Sequence, residues 1–301
     1  MKIIVTGASG FLGRYVTKTL VMQGHEVIAL SRRSPGLEGK LTWVEMDLLD
    51  SSKLRPFFMS AKPEGLVHLA WQSEYANRWE SVNNLQSCIN TIKLLQEFAD
   101  AGGRKAVLAG SCAEYDWQYG YCIEDQTPIR PWSVYGKCKD VTRQTAQDFC
   151  LKSGIQLAWA RIFFAYGYGE HNQRLIPYVA GQLIRKQPVK CTHGNQFRDF
   201  IHAEDVALAM AHLLNNKSAE GTYNIATGLP LRIRDIVDFC ASRIAPFGPI
   251  EFGVIPALEN DPGVLIADVS KLKALGWGPT KSNFDHIAQY IDMLQLDQHS
   301  L

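Results

Sequence analysis

The sequence lacks the spacings that announce a metal centre or a disulfide framework. Its seven cysteines (Cys88, Cys112, Cys122, Cys138, Cys150, Cys191 and Cys240) are odd in number, widely spread and include no CxxC pair. That excludes a stapled secreted scaffold and a zinc knuckle and leaves reduced, buried thiols as the expectation. The eight histidines form no HExxH or similar ligand spacing, so no metal site is expected. Charge of one sign is also missing: 31 basic residues face 30 acidic ones and no dense Lys/Arg block occurs. A nucleic-acid partner is therefore not expected, because phosphate neutralisation needs a basic excess. No apolar run is long enough to cross a bilayer. The opening MKIIVTGASG enters a strand-like run and then glycines, without the basic end, apolar stretch and cleavage site of a leader, so a cytoplasmic location is expected. Low-complexity linkers and internal repeats are absent.

What is present is an ordinary globular composition, 46% hydrophobic and 20% charged over 301 residues, enough to bury a core without staples. Apolar, β-branched runs at 2–5, 26–30, 43–46, 65–69, 105–108 and 156–160 read as short buried strands. Between them, apolar residues recur at three- and four-residue spacing over 11–22, 87–100 and 135–151, the pattern of amphipathic helices. Strands alternating with helices predict an α/β fold, a Rossmann doubly wound parallel sheet. Beyond residue 165 the rhythm loosens, with helices expected near 175–185, 233–243 and 284–294 and a strand near 222–225. The division expected is a dinucleotide-binding domain at 1–165 and a smaller, mainly substrate-binding lobe at 166–301, of which about 195–225 returns to the first domain. In such a fold ligands lie beyond the carboxyl ends of the strands, so functional residues are expected there and at the starts of helices.

The first strand runs into Thr6-Gly7-Ala8-Ser9-Gly10-Phe11-Leu12-Gly13, a GxxGxxG pattern. Gly7 permits the tight turn, Gly10 admits a pyrophosphate to the backbone, and Gly13 lets the helix pack close to the strand. The phosphates then meet unpaired N–H groups and the positive end of the helix dipole. Because the glycines follow a strand and open a helix, dinucleotide binding is expected, with Ser9, Phe11 and Leu12 in the same loop. The second strand ends in Ser31-Arg32-Arg33 rather than Asp or Glu, which favours the 2′-phosphate of NADP over the ribose hydroxyls of NAD. Solvated loop charges are the alternative reading of these arginines. Asp47 and Leu48, at the end of the third strand, are candidates to flank the adenine, although an aspartate there also suits a helix cap. Ala70, after the fourth strand, joins the cofactor candidates.

Two further segments carry chemistry: Gly110-Ser111-Cys112-Ala113-Glu114-Tyr115 after the fifth strand, and Ser133-Val134-Tyr135-Gly136-Lys137-Cys138-Lys139. Tyr135 and Lys139, four apart, share one face of a helix. A phenol titrating near 10 is a poor acid or base at neutral pH, and a neighbouring ammonium favours its ionised form. Ser111, from a different strand end, is a candidate to hydrogen-bond the reacting oxygen, and Lys139 to hold a ribose. His68 reads as a structural histidine.

Taken together, TGASGFLG, SCAEY, EDQTPIRPWSVYGKCK, RIFFAYG, RDFIHAEDVA and ADVSKLKALGWGP resemble the extended short-chain dehydrogenase/reductases, the NAD-dependent epimerase/dehydratase family. The resemblance covers essentially the whole chain. It implies a Rossmann domain with a smaller substrate domain, a nucleotide-sugar substrate and a homodimer joined through helices. It makes Tyr135 the acid/base, Lys139 its partner and Ser111 the substrate-orienting hydroxyl. It also makes Asn84, Arg174 and Arg198 substrate-side residues, Arg198 through the nucleotide phosphate. Pairing of Arg198 with Asp199 or Glu204 is the structural alternative.

Family members that dehydrate sugars place an Asp-Glu pair after the Ser/Thr, where this chain has Cys112 and Ala113; the resemblance therefore argues against dehydration. Phe164 stands where many epimerases of the family have Asn, and Glu259-Asn260-Asp261-Pro262 stands where they have an Arg. Enzymes resembling GDP-fucose synthase pair a cysteine with a histidine near the positions of Cys112 and His171, but this match is one place out of register. The expected function is an NAD(P)H-dependent reductase of a nucleotide-linked 4-keto-6-deoxyhexose. The alternatives are an NDP-sugar 4-epimerase with tightly held NAD and a non-catalytic cofactor-sensing regulator.

Overall fold

The computed structural model describes residues 1–32, 41–72, 75–246, 248–257 and 260–299. Five parallel strands open the chain: β1 (Lys2–Thr6), β2 (Glu26–Ser31), β3 (Leu41–Glu45), β4 (Gly65–His68) and β5 (Lys105–Ser111). Two later strands, Gln156–Ile162 and Gly221–Ile225, complete a seven-stranded sheet ordered Gly221–Ile225, Gln156–Ile162, β5, β4, β1, β2, β3. The chain grows outward from β1 through β2 to β3, then crosses to β4 on the other side of β1. A crevice therefore opens between β1 and β4 at their carboxyl ends. The architecture is the α/β Rossmann sheet that the alternating pattern predicts.

The alternation of side chains along β1 explains the layering, since successive residues point to opposite faces. Ile3 and Val5 face α1 (Phe11–Met22) and α6 (Ala203–Asn215), packing with Val16, Leu20, Val206 and Met210. Ile4 faces α2 (Ser51–Ala61), α3 (Asn83–Asp100) and α4 (Val134–Ser153), packing with Phe58, Leu94 and Phe98. Helix α2 is absent from the sequence reading because Pro56 lies inside it; burial of Leu54 and Phe58 outweighs the hydrogen bond that the proline forgoes.

A separate core holds α5 (Leu175–Ile184), α7 (Ile233–Ile244) and α9 (Asn283–His299) through Ile176, Val179, Val237, Ile287 and Ile291. The short helix α8 (Ser270–Ala274) packs against the sheet's edge strand Gly221–Ile225. A four-stranded sheet of Leu231–Arg232, Phe197–Arg198, Val264–Ala267 and Tyr121–Cys122 lies under the second half of the cleft. Strand Phe200–His202 pairs in parallel with Phe164–Tyr166, which ties the two cores together. Among the described residues no helix is long and apolar enough to cross a membrane.

Candidate active site

Three adjoining cavities run along the carboxyl edge of the main sheet. The first, about 240 Å³, lies over Gly7, Ser9, Gly10, Leu30, Ser31, Arg32, Asp47, Leu48, His68 and Ala70. Gly7 turns at φ 67°, and a Cβ there would sit 2.7 Å from the Ala70 nitrogen; a Cβ on Gly13 would sit 2.1 Å from the Gly7 carbonyl oxygen. These two contacts press the turn, α1 and β4 together. Gly10 caps α1 from an extended conformation, and no acidic side chain occupies the first turn. This is a cradle of backbone at a helix N-terminus, and it fits a dinucleotide's pyrophosphate. Ser31 is buried at the end of β2, so Arg32, which is exposed, is the side chain open to a 2′-substituent. Arg33 lies outside the described residues. Asp47 is exposed and accepts from the Leu49 backbone N–H at 3.0 Å, the local cap that its position allows. His68 is fully enclosed: its Nδ1 lies 2.7 Å from Thr6 Oγ1, its Nε2 lies 2.9 Å from Thr91 Oγ1, and burial pushes its pKa down to about 3.

The second cavity, about 570 Å³, shares Gly7, Gly10 and Trp71 with the first and continues over Phe11, Leu12 and Gly13 to Ser111, Tyr135 and Lys139. Strand β5 runs three residues further than its apolar pattern predicts and puts Ser111 on its last position. The following turn is locked by Glu114, which is completely buried. Its Oε1 accepts from the Ser111 backbone at 2.7 Å and its Oε2 from Arg161 Nε at 2.7 Å. Tyr135 enters at the start of α4, its backbone N–H donating to the Trp79 carbonyl at 2.9 Å. Burial pushes its phenol up to about 12, against the opposing influence of the nearby Ser111 hydroxyl. Lys139 Nζ donates to the Ala109 carbonyl at 2.7 Å and lies 3.7 Å from the centre of the Trp71 indole. Burial pushes its pKa down to about 7, against the opposing pull of Glu114. Lys139 lines the cavity beside Tyr135, its ammonium held at the Ala109 carbonyl.

The third cavity, about 190 Å³, is entered past Glu170 and Arg174 and holds Phe164, Phe200, Arg198 and Asp261. Arg174 donates to Glu170 at 2.8 Å and Arg198 to Asp261 at 2.6 Å. The partner of Arg198 is thus neither Asp199 nor Glu204. Asp199, between the two short strands, instead accepts from Thr227 and Gly228. Burial leaves Asp199 at about 6. Asn84 does not face the cleft. It is fully buried, accepting from Trp71 Nε1 at 2.8 Å and donating to the Arg78 and Ser81 carbonyls, both at 2.9 Å. Its place is to brace the loop after β4.

Cys112 and His171 both border the second cavity. Cys112 is buried, and desolvation pushes its thiol strongly up, so it stays protonated. His171 accepts at Nδ1 from the Gln173 backbone at 3.3 Å on an exposed turn. The sequence reading passes over Trp71, Trp79 and Trp117, which wall this cavity, and Glu170, which joins it to the third. Their position after the ends of β4 and β5 is the signal that could have flagged the tryptophans. Away from the cleft, the donor atoms of His202, Glu204 and His286 lie within 4.8 Å of one another. The two imidazoles stack at 4.1 Å and 15°, so their in-plane lone pairs run parallel rather than converging on one ion.

The sequence pattern of the NAD dependent epimerase/dehydratase family matches residues 3–226. The chain belongs to this family. Among curated members, it is 28% identical over 267 residues to a dTDP-6-deoxy-L-talose 4-dehydrogenase (NAD(+)) of Aggregatibacter actinomycetemcomitans, covering 87% of this chain and 97% of that protein. It is 27% identical over 298 residues to a CDP-abequose synthase of Salmonella typhimurium, covering 94% of each. Among solved structures, UDP-glucose 4-epimerase of Thermus thermophilus in complex with NAD superposes with a TM-score of 0.87 at 23% identity, covering 97% of this chain and 98% of that one. The family fold therefore extends through the second core as well as the main sheet.

Proposed function

We propose that this protein is a cytoplasmic reductase that converts the 4-keto group of a nucleotide-linked 6-deoxyhexose to a hydroxyl, with NADPH preferred over NADH. The observation that carries the reading is Tyr135. It is a half-buried phenol that lines one cavity together with Ser111 and the glycine loop, and desolvation pushes it up to about 12. Such a group holds its proton throughout the physiological range and can release it to an alkoxide forming beside it.

The residues divide the work by position. Gly7, Ser9, Gly10, Phe11, Leu12 and Gly13 hold the dinucleotide's phosphates, and Ser31, Arg32, Asp47, Leu48 and Ala70 border its adenosine end. A bound nicotinamide cofactor supplies the hydride. Ser111 and Tyr135 hold the substrate's carbonyl oxygen, and Tyr135 passes it a proton; the nearby positive charge of Lys139 eases the loss of that proton. Trp79 and Trp117, beside them, offer apolar faces that suit a methyl group better than a hydroxymethyl group. Arg174 and Arg198, beyond, suit the diphosphate. The relative named for 4-dehydrogenation of a dTDP-6-deoxy sugar carries out the same bond change in the opposite direction. Leu85 and Ile89 on α3 and Val141 on α4 are exposed apolar side chains that suit the helix-paired homodimer.

The deciding experiment mixes the purified protein with NADPH or NADH and a panel of NDP-4-keto-6-deoxyhexoses. Loss of reduced-cofactor absorbance in proportion to added keto sugar is expected, faster with NADPH. Co-purifying NAD with no net consumption would instead select a 4-epimerase, the reading favoured by the relatives named UDP-glucose 4-epimerase.

A further inference from the structure

Lys139 is a buried cation that, among the described residues, has no carboxylate paired with it. Its only hydrogen-bond acceptor there is the Ala109 carbonyl at 2.7 Å. Glu114 acts on it electrostatically, but that carboxylate is committed to Arg161, Trp159 and the Ser111 backbone. An ammonium removed from water without a counter-charge is strongly disfavoured. Two aromatic rings lie within reach of Nζ, and the face of Trp71, its ring centre 3.7 Å away, is much the nearer; the Tyr135 ring centre is 5.9 Å away. An indole face carries the negative lobe of the ring quadrupole, and its attraction for a cation grows when both are desolvated.

The ring is held rather than merely adjacent. Its Nε1–H donates to Asn84 Oδ1 at 2.8 Å, and the Asn84 amide is itself fixed by two backbone carbonyls. That bond sets the rotation of the indole so that one face covers Lys139 while its edge meets Tyr135 perpendicularly, ring centres 6.2 Å apart. Trp71 thus touches both members of the Tyr135/Lys139 pair and lines both the first and second cavities.

We propose that Trp71 is a positioning residue for Lys139: the negative face of its neutral indole helps keep the ammonium ionised beside Tyr135, and Asn84 acts through it by fixing the ring. The relevance to turnover rests on the reading of Lys139 given above. The other titratable groups around Lys139 are Glu114 from the turn after β5, Cys88 from α3, His68 from β4 and Tyr135 on its own helix. Burial holds His68 neutral, and Glu114 is the acid among them. With Lys139 already lowered to about 7, a modest change in stabilisation alters its charge at neutral pH.

The test reads the Lys139 ionisation directly in the full-length protein by 13Cε NMR of labelled lysine, the resonance being assigned by its loss in Lys139→Met. Trp71→Phe keeps a ring face, and its midpoint is expected within about half a unit of wild type. Trp71→Leu removes the face and should lower the midpoint by about one unit, a tenfold change in the ionisation equilibrium. If the leucine variant does not fold, Trp71→Met fills similar space without a ring face and carries the same expectation. The alkaline limb of kcat/KM against pH should move with the midpoint. A folded leucine or methionine variant with an unmoved midpoint overturns the proposal. A moved midpoint with an unmoved alkaline limb supports the coupling and removes Lys139 from the reaction instead.

Discussion

The two ends of the cleft are built from different material. The end proposed for the cofactor is backbone: a turn from Gly7 to Gly13 and the start of α1, pressed so closely that a Cβ on Gly13 would lie 2.1 Å from a carbonyl oxygen. The end proposed for the substrate is side chains delivered from separate elements: Ser111 from β5, Tyr135 and Lys139 from α4, Trp79 and Trp117 from loops, and Arg174 from the start of α5. A backbone cradle is specified by a few neighbouring residues and fails as a unit when one is wrong. A convergent set of side chains is specified by packing across the fold, and it degrades one function at a time.

That contrast is sharpest at Tyr135. Tyr135→Phe keeps the ring against Trp71 and Trp79 and removes only the hydroxyl. We expect kcat to fall about 10²–10⁴-fold, with NADPH affinity, read by fluorescence titration, within about twofold of wild type. Retained turnover would remove Tyr135 from the chemistry. Gly13→Ala should do the reverse. Overpacking of this kind costs about 1–3 kcal/mol, and we expect it to appear as on the order of 100-fold weaker NADPH binding together with a lower Tm. Normal binding by this variant would break the claim that the cofactor end is made by close approach.

Between the ends, Asn84 tests whether a residue outside the cleft can act on it. Asn84→Ala leaves the Trp71 N–H and two carbonyls without their partner, which costs about 1–3 kcal/mol of stability. A fall of roughly tenfold in kcat with little change in KM is expected, since the variant loosens a neighbour of Lys139 rather than a substrate contact. An equal rise in KM would place Asn84 in substrate binding after all.

The same contrast decides what the sequence makes legible. The glycine loop and the Ser111, Tyr135 and Lys139 set can be read because each depends on local spacing: a strand-turn-helix junction, a strand end, and one face of one helix. Arg198 is legible as a cation but not in its pairing. Its partner Asp261 lies 63 residues away, while the tempting neighbour Asp199 is occupied by the Thr227 and Gly228 backbone. Asn84 is a site residue by the family resemblance, yet it is buried against Trp71 and two backbone carbonyls. Trp71 carries no periodic or motif signal at all; only the folded packing of α4 against α3 and β5 brings Lys139 beneath its ring. Helix α2 is hidden by Pro56, whose cost is met by apolar burial that a local reading does not see.

The smallest expected effect concerns two histidines that desolvation keeps neutral, His68 beside the first cavity and His202 away from the cleft. Burial pushes His68 from 6.5 to about 3 beneath the cofactor floor. Mainly through burial, with His286 adding to it, His202 falls to about 4 between Tyr15 and Tyr166. In both cases the unfolded chain binds a proton below 6.5 that the folded chain refuses. Stability is therefore intact above pH 6.5 and declines as the pH falls toward each folded value. At pH 5.5 each histidine should cost about 1 kcal/mol relative to pH 7.5, lowering Tm by roughly 2–4 °C. His68→Gln loses Tm at pH 7.5, because the Thr6 and Thr91 contacts are disturbed, but its melting temperature should then fall less steeply with acid. His202→Gln should flatten the same limb, with its benefit ending about one unit sooner, near pH 4. Melts of the three proteins across pH 4–8 separate the contributions of the two histidines. An unchanged acid slope in His68→Gln would mean that the neutral imidazole under β1 and β4 contributes nothing to the pH dependence of the fold.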